Sequence, residues 1–234
     1  MTGSAQPSGA RRTAVVAARD EADRIEATIG ALAEASPGIR IFVADDASTD
    51  GTAQLALAAG AEVVSRGRPH GKGANVTAAC EAALGDAGSA DLFLLCDGDL
   101  GESAARLIPL LEAVEANDCD LAIAAFSRKV GGGVGAAKGF GRWAIRSLSG
   151  YEAREPISGQ RAMRASTLRS VLPFAASYGM ETGMTIDAAR AGHRIAEVDL
   201  DLSHRATGKS LRGFLHRGRQ LRDIAVAYLA RRHG

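Results

Sequence analysis

Three cysteines in 234 residues, none in Cys-x-x-Cys spacing, leave this sequence without a disulfide framework or a thiolate zinc site. Cys96 falls inside an apolar run, where a buried, reduced thiol is expected. Also missing is any apolar stretch approaching the length of a membrane span. Residues 1–10 are small and polar and lack the apolar core of a signal peptide; a cytoplasmic protein is the expectation. There is no internal repeat. Nor is there an excess of one charge: 28 Lys and Arg against 27 Asp and Glu give a net charge of +1, so the total implies no nucleic-acid partner. The distribution is uneven, however. From Arg205 onward eight Lys and Arg accompany one acid, Asp223. Such a tail suits an anionic ligand or peripheral contact with the inner face of a membrane, and a solvated basic helix is the plainer alternative. The sequence leaves the two open and does not fix an oligomeric state.

What is present is an ordinary globular composition, 46% hydrophobic and 24% charged, enough for a single domain with one core. Residues 1–11 read as a disordered leader. Short apolar runs at 13–18, 39–44, 62–65, 92–96 and 121–126 read as strands. Between them, helical patterns cover 21–35 (with Ile25, Ile29 and Leu32 on one face), 52–59, 75–84 and 107–116. Pro37-Gly38, Gly60 and Gly85 stop the first three of these. The alternation implies an α/β fold, a mostly parallel sheet flanked by helices, with ligands outside the carboxyl ends of the strands. Residues 128–142 hold six glycines among Arg128, Lys129, Lys138 and Arg142, a basic loop that is either a lid or a plain connection. Helices at 166–172 and 182–191, a strand at 194–200 and an amphipathic tail with Leu211, Leu215, Leu221, Ile224 and Leu229 near one face complete the pattern.

The chemistry-bearing residues collect at predicted strand ends. The first strand runs into Arg19-Asp20-Glu21, acids suited to capping a helix or to facing the ligand crevice. The second ends in Asp45-Asp46-Ala47-Ser48-Thr49-Asp50-Gly51-Thr52. Ser48 or Asp50 would cap the next helix, but capping does not account for Asp45, which could accept hydrogen bonds from a ribose or a base. Gly71-Lys72-Gly73 precedes a helix whose N-terminus favours anions; the spacing is not that of a P-loop. The fourth strand ends in Asp97-Gly98-Asp99. Two carboxylates on one side of a strand end repel unless a cation lies between them, and hard oxygens with phosphate suit Mg²⁺ or Mn²⁺. A solvated Asp-Gly turn is the plainer explanation of that triplet alone.

In this order the signals resemble the family-two glycosyltransferases of GT-A (Rossmann-like) fold: a strand-end segment, DDxSxDxT, a GKG loop, then DxD. The DDxSxDxT match is complete. The first segment departs, with Ala17 for the usual proline and Asp20 for the usual asparagine. The resemblance implies a metal-dependent enzyme that moves a sugar from a nucleotide-sugar donor, UDP-linked, to a hydroxyl or phosphate acceptor. By it, 12–126 is the donor half, 127–203 the acceptor-side half and 204–234 a basic C-terminal segment and helix. Glu21, Asp45 and Lys72 are implied at the donor, and Asp97 and Asp99 at donor and metal. Glu181 falls near the place of a catalytic carboxylate, though a first-turn acid needs no catalytic role. Gln160 and Arg161, in Ile157-Ser158-Gly159-Gln160-Arg161, look like an acceptor-side segment. The stretch from Ser203 to Ser210 resembles the basic segment of polyprenyl-phosphate sugar transferases, and a glucosyl-3-phosphoglycerate synthase-type enzyme is similar too. A downstream histidine completes the metal site in some retaining GT-A enzymes, which makes His204 a candidate third metal ligand, a surface histidine being the plainer reading. The basic segment gives Arg205, Lys209 and Arg212 an acceptor phosphate to bind, and a small molecule and a lipid phosphate are both open as acceptor. A nucleotidyltransferase is the rival enzyme, although its basic glycine-rich loop after the first strand is absent. A non-catalytic nucleotide-sugar-binding protein is the other alternative.

Overall fold

The computed structural model describes residues 10–126, 135–201 and 211–232, the side chains of Phe126 and of 211–217 excepted. Among these, the strands β1 (Arg12–Ala18), β2 (Arg40–Asp45), β3 (Glu62–Ser65), β4 (Leu92–Asp97), β5 (Leu121–Phe126), β6 (Arg161–Arg164) and β7 (Ile195–Leu200) form one sheet. Its order is β3-β2-β1-β4-β6-β5-β7. Every pairing is parallel except the two made by β6. The helices are α1 (Ile25–Ala35), α2 (Thr52–Ala58), α3 (Lys72–Ala83), α4 (Ile108–Glu115), α5 (Gly135–Ser149), α6 (Ala165–Val171), α7 (Met180–Arg190) and α8 (Leu211–Arg232). The expected mostly parallel α/β sheet is what forms.

The apolar runs are continuous because both faces of the sheet are covered. Along β1, Ala14 and Val16 enter the core beneath α1 and α4, while Val15 enters the core beneath α3, α6 and α7. Leu92, Leu94 and Cys96 of β4 face the first core, and Phe93 and Leu95 the second. The period of two therefore distributes one apolar run between two cores.

Three expectations need correction. First, residues 135–142 of the supposed glycine-rich loop belong to α5, while 128–134 lie outside the described residues, as do 1–9. Ala137, Gly141, Ala144 and Ile145 are the buried face of α5. A Cβ on Gly141 would lie 3.1 Å from the Pro156 ring, so this glycine serves close packing rather than flexibility. Second, β6 carries two arginines in four residues and gives no apolar run. Third, Leu229 is 52% exposed, whereas Ile224 and Ala227 are buried. α8 presents Asp223, Ala227 and Arg231 to α7 and the turn before it: a Cβ on Gly179 would meet the Asp223 carbonyl at 2.7 Å, and one on Gly183 the Arg231 guanidinium at 2.9 Å. Glycine thus lets α8 cross close to the turn that begins α7.

Arg11, expected in the leader, is instead anchored. Its N–H and Nε donate to Asp91 at 3.1 and 2.9 Å, and Gly88 N donates to the same carboxylate at 2.9 Å. Burial pushes the Asp91 carboxyl up, but these donors outweigh it and hold it below the usual carboxylate range. A depressed carboxylate stabilises the fold above its ordinary pKa of about 4, and that contribution is lost as pH falls through the lower folded value. Asp91→Asn is therefore expected to cost about 1–3 kcal/mol at neutral pH and to flatten the loss of stability on acidification below pH ~4. Urea titrations across that range check it; an Asn variant as stable as wild type at neutral pH contradicts it.

Candidate active site

At the carboxyl edge of the sheet Ala18 pairs with Asp45 and Ala17 with Asp97, so the strand-end segments converge. Much of DDxSxDxT sews two of them together. Ser48 Oγ accepts from Asp20 N at 2.9 Å, Asp20 Oδ1 from Thr49 N at 2.8 Å, and Asp50 Oδ2 from Ala22 N at 3.0 Å. Thr52 Oγ1 accepts from the backbone N–H of Glu21 at 2.8 Å. Asp20 has φ 54, a left-handed conformation that Asp and Asn tolerate well. Asp50 Oδ1 also takes Thr52 N at 3.1 Å, but the cap of α2 is Gly51, with φ 93, and neither Ser48 nor Asp50 caps the helix as expected. Asp45 is buried, accepting from Ser48 N at 3.3 Å and Ser65 Oγ at 3.1 Å.

Asp46 carries a role that spacing did not assign. It is 7% exposed and accepts from His70 N at 2.7 Å, from Gly71 N at 3.2 Å and from the Asn75 side chain. It thereby fixes the Gly71-Lys72-Gly73 segment at the start of α3. Gly71 has φ 83, a conformation glycine adopts freely. The helix begins at Lys72, earlier than expected, and aims that side chain across the sheet edge.

Lys72 Nζ lies 2.7 Å from Asp97 Oδ1 and 2.8 Å from Glu181 Oε1. Gln160 Nε2 donates to Asp97 Oδ2 at 2.8 Å. Four residues from four segments thus meet: the start of α3, the end of β4, the residue before β6 and the first turn of α7. Burial alone would lower the Lys72 pKa, but the Asp97 and Glu181 carboxylates outweigh it and raise it above the ordinary lysine value. Asp97 ends β4, while Asp99 sits in the turn beyond it, so the two acids do not share a strand face as expected. That turn is held by Gly98 N donating to Ala17 O at 2.8 Å and by Thr28 Oγ1 donating to Gly98 O at 2.8 Å. A Cβ on Gly98 would lie 3.2 Å from Ala17 O and from Ala18 Cβ. Gly98 thus packs closely against β1.

Arg161, expected on the acceptor side, is 0% exposed. Its Nε donates to Ser158 O at 2.9 Å and its Nη1 to Thr185 Oγ1 at 3.0 Å. Its Nη2 is a buried atom with no hydrogen-bond partner among the described residues. Burial lowers its pKa to about 10, against the pull of Glu181, Glu197 and Tyr151. It ties the turn before Gln160 to α7, the helix of Glu181. The pocket at this cluster is lined by Lys72, Asp97, Gly159, Tyr178 and Glu181, and by Gln220 and Ile224 of α8. Tyr178 precedes Glu181 in the segment that looks like an acceptor-side one, Ile224 shows only as part of the amphipathic tail and Gln220 carries no local signal; the crossing of α8 brings the last two here. His204, Arg205 and Lys209 lie outside the described residues, and Arg212 is in α8 with its side chain outside them. Glu21 stands at the β1 end of the same edge.

Two glycines separate site from scaffold. A Cβ on Gly159 would lie 2.7 Å from Lys72 Nζ and 3.0 Å from Asp97 Oδ2, the ends of two side chains. A Cβ on Gly73 would lie 1.9 Å from the Ala175 carbonyl oxygen, where backbone must move. Gly159→Ala is expected to keep stability within about 1 kcal/mol while cutting turnover at least tenfold by displacing the Lys72 ammonium. Gly73→Ala is expected to lose about 3 kcal/mol. Thermal melts paired with rate assays decide; equal melting losses in the two variants contradict this division.

The family model of Glycosyl transferase family 2 matches residues 13–170. An undecaprenyl-phosphate mannosyltransferase of Micrococcus luteus is 32% identical over 212 residues, 84% of this chain and 85% of that protein. A glucosyl-3-phosphoglycerate synthase of Mycolicibacterium paratuberculosis is 30% identical, over 95% of this chain and 70% of that protein. Among solved structures, glucosyl-3-phosphoglycerate synthase from Mycobacterium tuberculosis in complex with Mn²⁺, uridine-diphosphate-glucose and phosphoglyceric acid superposes with a TM-score of 0.76 at 26% identity, covering 95% of this chain and 80% of that one. The same enzyme is solved with Mg²⁺ and uridine diphosphate, also at TM-score 0.76 and 26% identity, with 95% and 79% covered.

Proposed function

Because this chain belongs to glycosyl transferase family 2, we propose that it moves a sugar from a UDP-linked donor to a phosphate-bearing acceptor, a polyprenyl phosphate, at the inner face of a membrane. The observation that carries this is the cluster of Lys72, Asp97, Glu181 and Gln160 in a pocket at the sheet's carboxyl edge. Both curated relatives are named for phosphate-bearing acceptors or products. Family membership leaves the nucleotidyltransferase and the non-catalytic binding protein without support.

Glu21 and Asp45 take the nucleoside, and Lys72 meets the diphosphate. Asp97 and Asp99 fit Mg²⁺ or Mn²⁺, which binds one or two carboxylates and fills its remaining positions with phosphate oxygens and water. Among the described residues no set of three His, Cys, Asp or Glu converges, and His204 is the proposed further ligand. When bound, the ion offsets charge developing on the leaving diphosphate. An ionised acceptor phosphate attacks the anomeric carbon as the bond to UDP breaks, and UDP departs with the electron pair. No proton has to be removed, so Glu181 serves by holding Lys72, and Arg205, Lys209 and Arg212 bind the acceptor phosphate. Gln160 and Arg161 move from acceptor contact to positioning Asp97 and α7.

A second reading has one observation in its favour: Glu181 is a buried carboxylate lining the pocket itself. With a hydroxyl acceptor such as that of 3-phosphoglycerate, Glu181 takes the hydroxyl proton as general base. Incubating the full chain with Mn²⁺, a panel of UDP-sugars and either detergent-dispersed polyprenyl phosphate or 3-phosphoglycerate separates the two. Glycosylated lipid phosphate supports the first, transfer only to 3-phosphoglycerate the second, and no transfer to either contradicts both.

A further inference from the structure

We propose that the outward faces of α5 and α8 together form a docking surface for a membrane that carries anionic lipid. This rests on the lipid-phosphate acceptor proposed above and names the surface that would bring the enzyme to it. Four large hydrophobic side chains are exposed among the described residues, and three of them, Trp143, Val226 and Leu229, lie on these two helices. Rings join the helices: the centroids of Phe140 and Trp143 are 5.4 Å apart, and those of Trp143 and Tyr228 4.9 Å apart. Ala144 and Ile145 of α5 and Ile224 and Ala227 of α8 are buried against the body of the protein. The outward faces therefore pack on each other through Trp143 and Tyr228 and are not part of the buried core.

Arginines border this apolar ridge. Arg142 and Arg146 are exposed on α5, one position before and three after Trp143. Arg222 is spaced four residues before Val226 and Arg232 three after Leu229, so each shares a helix face with its neighbour. α5 contains no acid, though Glu152 just beyond it lies 3.5 Å from Arg146 in an exposed pair; α8 contains only Asp223, which is largely buried and paired with Arg222 at 3.2 Å. Aromatic and aliphatic side chains flanked by arginine are the composition that settles at a lipid headgroup boundary. A second copy of this chain is a poorer occupant, because a twofold contact would set these arginines against their own copies. Lipid phosphates complement them. Gln220 and Ile224, about two turns and one turn before Tyr228 on α8, line the pocket, so docking here places the pocket wall near the headgroups.

Trp143 is the single tryptophan in the sequence, so its emission reports on this surface alone. The full chain is mixed with phosphatidylcholine vesicles with or without phosphatidylglycerol, following fluorescence and co-sedimentation. A blue shift and co-sedimentation with the anionic vesicles, weakened by salt, are expected. Each of Arg142→Gln and Arg146→Gln should lower partitioning about fivefold. Val226→Ser with Leu229→Ser should lower it at least tenfold while leaving UDP release to a water-soluble acceptor unchanged. No binding to anionic vesicles overturns the proposal, and so does a blue shift that grows with protein concentration without vesicles, which would mean a second copy covers the face. Vesicle binding without transfer to polyprenyl phosphate would sink the acceptor proposal alone; transfer in detergent without vesicle binding would sink the surface alone.

Discussion

Replacing Asp97 with Asn is expected to lower kcat/KM for sugar transfer about a thousandfold while shifting stability by less than about 1 kcal/mol. Asp97 is the meeting point of the site: one oxygen holds Lys72, the other Gln160. Its side chain is about a third exposed, so removing its charge leaves no buried void, and the one oxygen that the Asn amide retains can still accept from Gln160. Lys72 keeps its second partner, Glu181. What is lost is the anionic charge at the end of β4 where the donor diphosphate and its metal are proposed to sit. Steady-state kinetics with a thermal melt on the same preparation check the pair of expectations. An Asn variant with full activity, or one that is inactive only because it is unfolded, contradicts them.

Lys72→Met is expected to act on both activity and stability. It leaves the Glu181 carboxylate, 6% exposed, and Asp97 without the cation between them. Breaking one side of such a buried pair costs about 3 kcal/mol, or roughly 6–12 °C in Tm for a chain of this size. Turnover should fall at least a hundredfold, since a preorganised positive charge beside the proposed diphosphate position is gone. A lysine held above its ordinary pKa stabilises fully below that ordinary value and loses the contribution only as pH rises through the raised one. The stability gap between wild type and variant should therefore stay constant from about pH 6 to pH 9. A gap that opens or closes within that range, by melts at several pH values, contradicts the assignment.

The segments proposed to take the donor were legible because their signals are local. Asp45 to Thr52 are contiguous, and each apolar strand before a motif declares where the sheet edge lies. The acceptor side was legible only as candidates. Glu181 reaches Lys72 across 109 residues and Gln160 reaches Asp97 across 63, and no spacing rule encodes such meetings. β6 escaped notice because half its residues are arginines, one of which turns out to be buried in the core. The helix α5 was hidden by its glycines, of which Gly141 is closely packed and Gly135 and Gly139 are not. Arg161 resembled a ligand-binding arginine by its motif, yet its burial makes it a tie between the Ser158 turn and α7.

The most direct test is calorimetric titration of UDP into the full chain with Mn²⁺, with a chelator, and into an Asp97→Ala, Asp99→Ala variant. The account predicts saturable binding with metal, at least a tenfold loss with chelator, and loss of the metal effect in the variant. Equal UDP affinity with and without metal, or a metal effect that survives in the variant, would contradict it.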